Sequence, residues 1–123
     1  MDKDSIKERR KSARLITSGD VEYSVIGKLD IKELANTKNI SAGGVCITVN
    51  ERIEKGTILF LKINLPEKDT PIEAKGKVMW CAEFISSALI EPRYDLGIEF
   101  VEIKEVDRQA IFQYVFDHLR KER

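Results

Sequence analysis

Ile72-Glu73-Ala74-Lys75-Gly76-Lys77-Val78-Met79-Trp80 is the stretch that decides the fold class. Ile72, Ala74, Gly76, Val78 and Trp80 take one parity, while Glu73, Lys75 and Lys77 take the other. A period of two marks a strand covered on one face only. Downstream, Tyr94, Leu96, Ile98 and Phe100 face inward in the same way, with Asp95, Gly97 and Glu99 outward. Trp80, Tyr94 and Phe100 are therefore expected in the core. Upstream, residues 57–65 place Leu59, Leu61, Ile63 and Leu65 on one parity, and Pro66 with residues 67–71 closes that run. Residues 45–49 alternate as well, residues 34–40 form a weaker strand, and residues 50–56 are a charged connection ending in Gly56. Ser18-Gly19-Asp20 is a turn signal, followed by Val21, Tyr23 and Val25 on one face and a bend from Gly27 to about Glu33.

From about Lys104 the period changes. Ile111, Phe112, Val115, Phe116 and Leu119 form a helical apolar stripe, and Arg120, Lys121 and Arg123 complement the dipole of the last turn. The chain thus reads as one domain over residues 1–123: a basic arm (1–18), five or six strands (20–101) and a helix (104–121). Short strands joined by hairpin-length turns pair antiparallel. Half-covered strands in that number curl into a small barrel, with the helix over an open edge or end.

Composition narrows the function. With 123 residues, 42% apolar and 34% charged, the chain can bury one core without metal or disulfide. Lys plus Arg is 21 and Asp plus Glu is 21, a balance that disfavours a bulk nucleic-acid binder. Cys46 and Cys81 are far apart, and His118, on the helix beside the apolar stripe, is the sole histidine. No zinc set, nucleophilic triad or phosphate loop can be assembled, so neither an enzyme nor a bound cofactor is expected. The first residues lack the apolar core of a signal peptide and no run is long enough to span a membrane, so the expected location is the cytoplasm.

Two features carry chemistry. Residues 1–14 hold Lys3, Lys7, Arg9, Arg10, Lys11 and Arg14 against Asp2, Asp4 and Glu8, a local positive excess. Ser5-Ile6-Lys7-Glu8 fits a capping box for a short helix, and the alternative is a mobile tail. Either conformation sets Arg10 and Arg14 on one side, where guanidinium groups can chelate a phosphodiester, read a guanine edge or stack on a base. The second feature is Asn39-Ile40-Ser41-Ala42-Gly43-Gly44, a polar turn opening directly into a strand. Its Asn and Ser hydrogen-bond nearby backbone, and its glycines permit the positive φ of a tight reversal.

Arg10-x-x-x-Arg14 followed by Asn39-x-Ser41-x-x-Gly44, then Val78-x-Trp80, then Tyr94-x-x-Gly97-Ile98-x-Phe100 and a terminal helix, resembles the PilZ family of cyclic di-GMP receptors. The resemblance covers nearly the whole chain. It implies a mainly β fold, a six-stranded antiparallel barrel with a flexible N-terminal arm that folds over the ligand. It also implies that Arg10 and Arg14, with Arg9 beside them, hold phosphate and guanine. Asn39 and Ser41 would bond a guanine edge, and Gly43 and Gly44 would complete the turn, Gly44 admitting close backbone approach. The implied role is to bind this bacterial second messenger and signal, through arm ordering, to a downstream protein. Two other readings remain: an adaptor of the same fold that binds no nucleotide, and a small-barrel single-strand nucleic-acid binder. The inward parity of the aromatics argues against the last.

Overall fold

The computed structural model describes residues 20–27, 33–66, 68–85 and 91–121. Among the described residues six strands are present: β1 (Asp20–Val25), β2 (Glu33–Ser41), β3 (Gly44–Val49), β4 (Ile58–Ile63), β5 (Ile72–Phe84) and β6 (Arg93–Ile103). They are followed by the helix α1 (Glu105–Lys121). All neighbouring strands are antiparallel and close a barrel in the order β1-β2-β3-β6-β5-β4, with β4 returning to β1. The expected six-stranded antiparallel barrel is what forms.

Its interior is the alternating set read from the sequence. Val21, Ile40, Ile47, Leu59, Leu61, Ile63, Ile72, Val78, Leu96 and Ile98 make one buried cluster. Ile111, Tyr114 and Val115 of α1 belong to the same cluster. A wall closed all round by hydrogen bonds admits outside side chains only through a mouth, so α1 seals one end of the barrel. At that end lie the start of β1, the β2–β3 turn and the end of β6. Ile53, in the loop after β3, joins the cluster from the opposite end.

The helix departs from its expected stripe. Phe112 and Phe116 are exposed, stacked on each other with centroids 6.3 Å apart and planes at 11°. Ile111, Tyr114, Val115 and Leu119 face the barrel instead, the i, i+3, i+4, i+8 set centred on Ile111. Tyr114 supplies the apolar ring that the sequence reading assigned to the phenylalanines. His118 is half-buried as expected, its ring 4.1 Å from that of Tyr114 and its Nδ1 2.8 Å from the Tyr114 carbonyl oxygen.

Trp80 also departs from its expected place. It is exposed, not in the core. The β5–β6 register steps from Val78↔Ile98 to Trp80↔Gly97, so Met79 is an extra residue that reverses the parity beyond it. Cys81 then packs on the core, while Trp80 turns outward. Phe100 is buried as expected, and Tyr94 packs half-buried against the core. A second step between Lys75 and Gly76 lengthens the opposite end of the same pairing.

Gly44 does not adopt the positive φ that a tight reversal allows. Left-handed backbone occurs at Gly27 and Gly56, with φ of 97° and 94°, and not at Gly44. A Cβ at Gly44 would collide with the Ile98 carbonyl oxygen, so glycine is required there for strand β6 to approach. Gly44→Ala is expected to lower the unfolding free energy by about 1–3 kcal/mol; an unchanged midpoint in denaturant titration would contradict that contact.

Tyr23, almost wholly buried, donates its hydroxyl to Glu51 Oε2 at 2.8 Å. Burial first, then this bond and the Glu51 charge, push its pKa well above the ordinary tyrosine range. A raised folded pKa adds stability below the unfolded value of about 10, which is lost as pH rises through the folded value. Absorbance titration of tyrosinate should show Tyr23 ionising only with alkaline unfolding. That late group should be missing in Tyr23→Phe.

Candidate functional site

The β2–β3 hairpin turns through Ala42 and Gly43, with Ser41 paired to Gly44. Ser41 is buried and braces the turn: its Oγ accepts from the Gly43 N–H at 3.3 Å and donates to the Gly44 carbonyl at 3.5 Å. Two further bonds hold the turn from outside. The Phe100 N–H donates to the Gly43 carbonyl at 3.0 Å, and Arg108 Nη1 of α1 donates to the Ala42 carbonyl at 2.8 Å. A polar turn with its carbonyls fixed by β6 and by the helix is a rigid feature of the sealed mouth. Nothing in the motif announced Arg108, because its partner is a backbone atom 66 residues away.

From this hairpin a row of residues crosses the outer wall. Asn39 of β2 is paired with Cys46 of β3, Cys46 with Gly97 of β6, and Gly97 with Trp80 of β5. The indole of Trp80 lies directly over Gly97, where a Cβ would collide with it. Asn39 is half-buried at one end of the row and the exposed indole stands at the other. Between them Cys46 and Gly97 are buried, Gly97 beneath the indole itself. The row is thus a strip about three strand spacings of 4.8 Å across, with an amide at one side and an aromatic face at the other. The sequence reading put Trp80 in the core; glycine opposite tryptophan across a strand pair was the available signal for its outward placement.

A second row runs beside it, farther from the sealed mouth. Thr48 Oγ1 donates to Asp95 Oδ1 at 2.8 Å, and Lys38 Nζ donates to Asp95 Oδ2 at 2.9 Å. The Lys38 ammonium also lies 5.8 Å from the Phe84 ring centroid. Near the mouth, Lys77 is the cross-strand neighbour of Glu99. Lys38 and Lys77 each have a carboxylate beside them, and Arg93, opposite Phe84 on β5, adds a third cation to this face.

The structure therefore brings Asn39, Ser41, Gly43 and Gly44 together on one hairpin at the sealed mouth. Arg9, Arg10 and Arg14 lie outside the described residues. Among the described residues no cluster of histidine, cysteine or carboxylate side chains is suited to a metal ion. No helix of the described residues is long and apolar enough to cross a membrane.

Comparison with known proteins places this geometry. The Bacillus subtilis inhibitor of motility MotI/DgrA is 27% identical, with a TM-score of 0.73 over 94% of this chain and 53% of that one. The Klebsiella pneumoniae MrkH–c-di-GMP complex is 18% identical, with a TM-score of 0.74 over 93% of this chain and 53% of that one. The PilZ domain of Escherichia coli YcgR, solved with c-di-GMP, is 13% identical, with a TM-score of 0.70 over 94% of this chain and 95% of that one. The chain thus spans about half the length of MotI/DgrA and MrkH and nearly all of the isolated YcgR domain. No curated protein sequence is significantly similar to it. The family model for the PilZ domain matches residues 8–117, and the chain belongs to the PilZ domain family.

Proposed function

We propose that this chain binds cyclic di-GMP across the strip from Asn39 to Trp80, with residues 1–18 folding over the ligand. The observation that carries the reading is the placement of the hairpin. The Asn39–Gly44 turn stands at the mouth where β1 begins, and Asp20 is paired with Asn36, three residues before Asn39 on the neighbouring strand. The segment bearing Arg9, Arg10 and Arg14 therefore joins the barrel beside the turn. Solved relatives with bound c-di-GMP share the fold.

The chemistry divides between the two parts. The ligand carries two phosphodiester charges and two planar purines. The outer strip provides an amide for a base edge at Asn39 and a stacking face at Trp80, while Ser41, Gly43 and Gly44 hold the turn in shape. Because residues 1–14 carry a local positive excess, compensation for the phosphates falls to Arg10 and Arg14, with Arg9 beside them. Ordering the arm costs about 1–2 kcal/mol per fixed backbone residue, so binding depends on contacts strong enough to exceed that cost. The arm is then the switching element, changing what a downstream protein meets at this end of the barrel. The reading makes the chain a receptor rather than an enzyme and places it in the cytoplasm, where the messenger is made.

Calorimetric titration with cyclic di-GMP tests this. Arg14→Ala and Arg10→Ala are each expected to cost about 2–5 kcal/mol, a loss of about 30-fold or more in affinity. Binding by Arg14→Ala as tight as wild type would remove the arm from the site. Absence of any binding or thermal shift at saturating nucleotide would favour a protein-contact adaptor of the same fold.

A further inference from the structure

The second outer row has a chemistry that the proposed binding mode leaves unused. Lys38, Thr48, Asp95 and Phe84 come from β2, β3, β6 and β5, the same four strands that supply Asn39, Cys46, Gly97 and Trp80. Lys38 is the extra residue of a bulge, since the β2–β3 register steps from Thr37↔Ile47 to Asn39↔Cys46. Bulges re-aim side chains, and this one leaves a lysine next to the motif asparagine with its ammonium on Asp95. Asp95 lies two residues from Gly97 on the same face of β6, so its carboxylate borders the strip. Both its oxygens are engaged, Oδ1 by Thr48 and Oδ2 by Lys38, which fixes the carboxylate's orientation.

Held this way, the pair presents a cationic donor and an anionic acceptor side by side along the edge of a surface suited to a flat base. Guanine carries the complementary order along one edge: the O6 acceptor, then the N1–H and N2–H donors. Adenine has an amino donor where guanine has O6 and an acceptor at N1. Against adenine the same pair would set donor to donor and carboxylate to lone pair. We propose that the Lys38–Asp95 pair is a specificity determinant of the cyclic dinucleotide site, reading a guanine edge and rejecting adenine.

This inference rests on the proposed binding of cyclic di-GMP to the strip. Two observations support it beyond the hydrogen-bond geometry. Lys38 retains an exposed side chain, 52% accessible against 16% for Asp95, so its ammonium can add a ligand bond without leaving its partner. The Asp95 hydrogen bond raises the Lys38 pKa against the opposing effect of burial, with smaller contributions from the Asp95 charge and from Cys46. The lysine therefore stays charged and close to the thiol of the strip. As a fold contact, a partly exposed ion pair contributes little, so its removal leaves the barrel intact for binding studies.

The test compares cyclic di-GMP with cyclic di-AMP by calorimetry on wild type, Asp95→Asn, Lys38→Met and Arg14→Ala. A good bidentate base contact discriminates by about 5- to 150-fold. Asp95→Asn and Lys38→Met should each weaken cyclic di-GMP by at least about 5-fold and reduce its preference over cyclic di-AMP. Arg14→Ala should weaken both ligands together and leave their ratio unchanged. Lys38→Met keeps the Thr48–Asp95 bond, so it decides the matter if Asp95→Asn melts early. Wild-type selectivity preserved in a folded Lys38→Met variant would overturn the proposal while leaving the receptor reading standing. Failure of wild type to bind cyclic di-GMP would instead remove the receptor reading, and this inference with it.

Discussion

The extra residue at Met79 is the constraint on which the outer face depends. Strand β5 is 13 residues long and pairs with β6 from Ala74 to Phe84, long enough to wrap around the barrel only if it bends. A bulge supplies that bend by letting two residues oppose one. Its cost is a reversal of parity, which takes Trp80 out of the core and sets it over Gly97. Without that step the wall between β2 and β5 would have no aromatic face. With it, a strip lined by an amide, a thiol, a glycine and an indole crosses four strands.

Most of the architecture is legible in the sequence because period-two alternation survives wherever strands pair in regular register. Ile72 to Val78 and Tyr94 to Phe100 faced as they read. Parity failed beyond Val78, since a bulge leaves no mark in a single sequence when the inserted residue is a methionine of ordinary strand character. The helix failed in a related way. Phe112 and Phe116 fall at the edge of a stripe whose centre is set by what the mouth of the barrel accepts. Tyr114, amphipathic and unremarked in the sequence, fits there.

The motif was legible as a turn opening into a strand, but the roles within it were not. Gly44 reads as a turn glycine, whereas the closeness of the Ile98 backbone is what excludes a side chain there. Ser41 reads as a ligand donor or a turn brace, and its bonds to Gly43 and Gly44 make the brace explicit. Arg108 and the Lys38–Asp95 pair could not be found by spacing, because each contact spans more than fifty residues. Electrostatics then separates the two halves of the proposed site. The hairpin is braced by hydrogen bonds from Ser41 and Arg108, whereas the arginine-bearing segment carries the positive excess that a dianion would seek.

Trp80 is the only tryptophan in the chain, so its emission reports directly on the strip. Titration of the protein with cyclic di-GMP, followed by tryptophan fluorescence and calorimetry together, tests the placement of the ligand. The account predicts a saturable change in Trp80 emission whose midpoint agrees with the calorimetric dissociation constant. Calorimetric saturation with unchanged emission would contradict it, because a purine lying across the strip cannot leave the indole environment as it was.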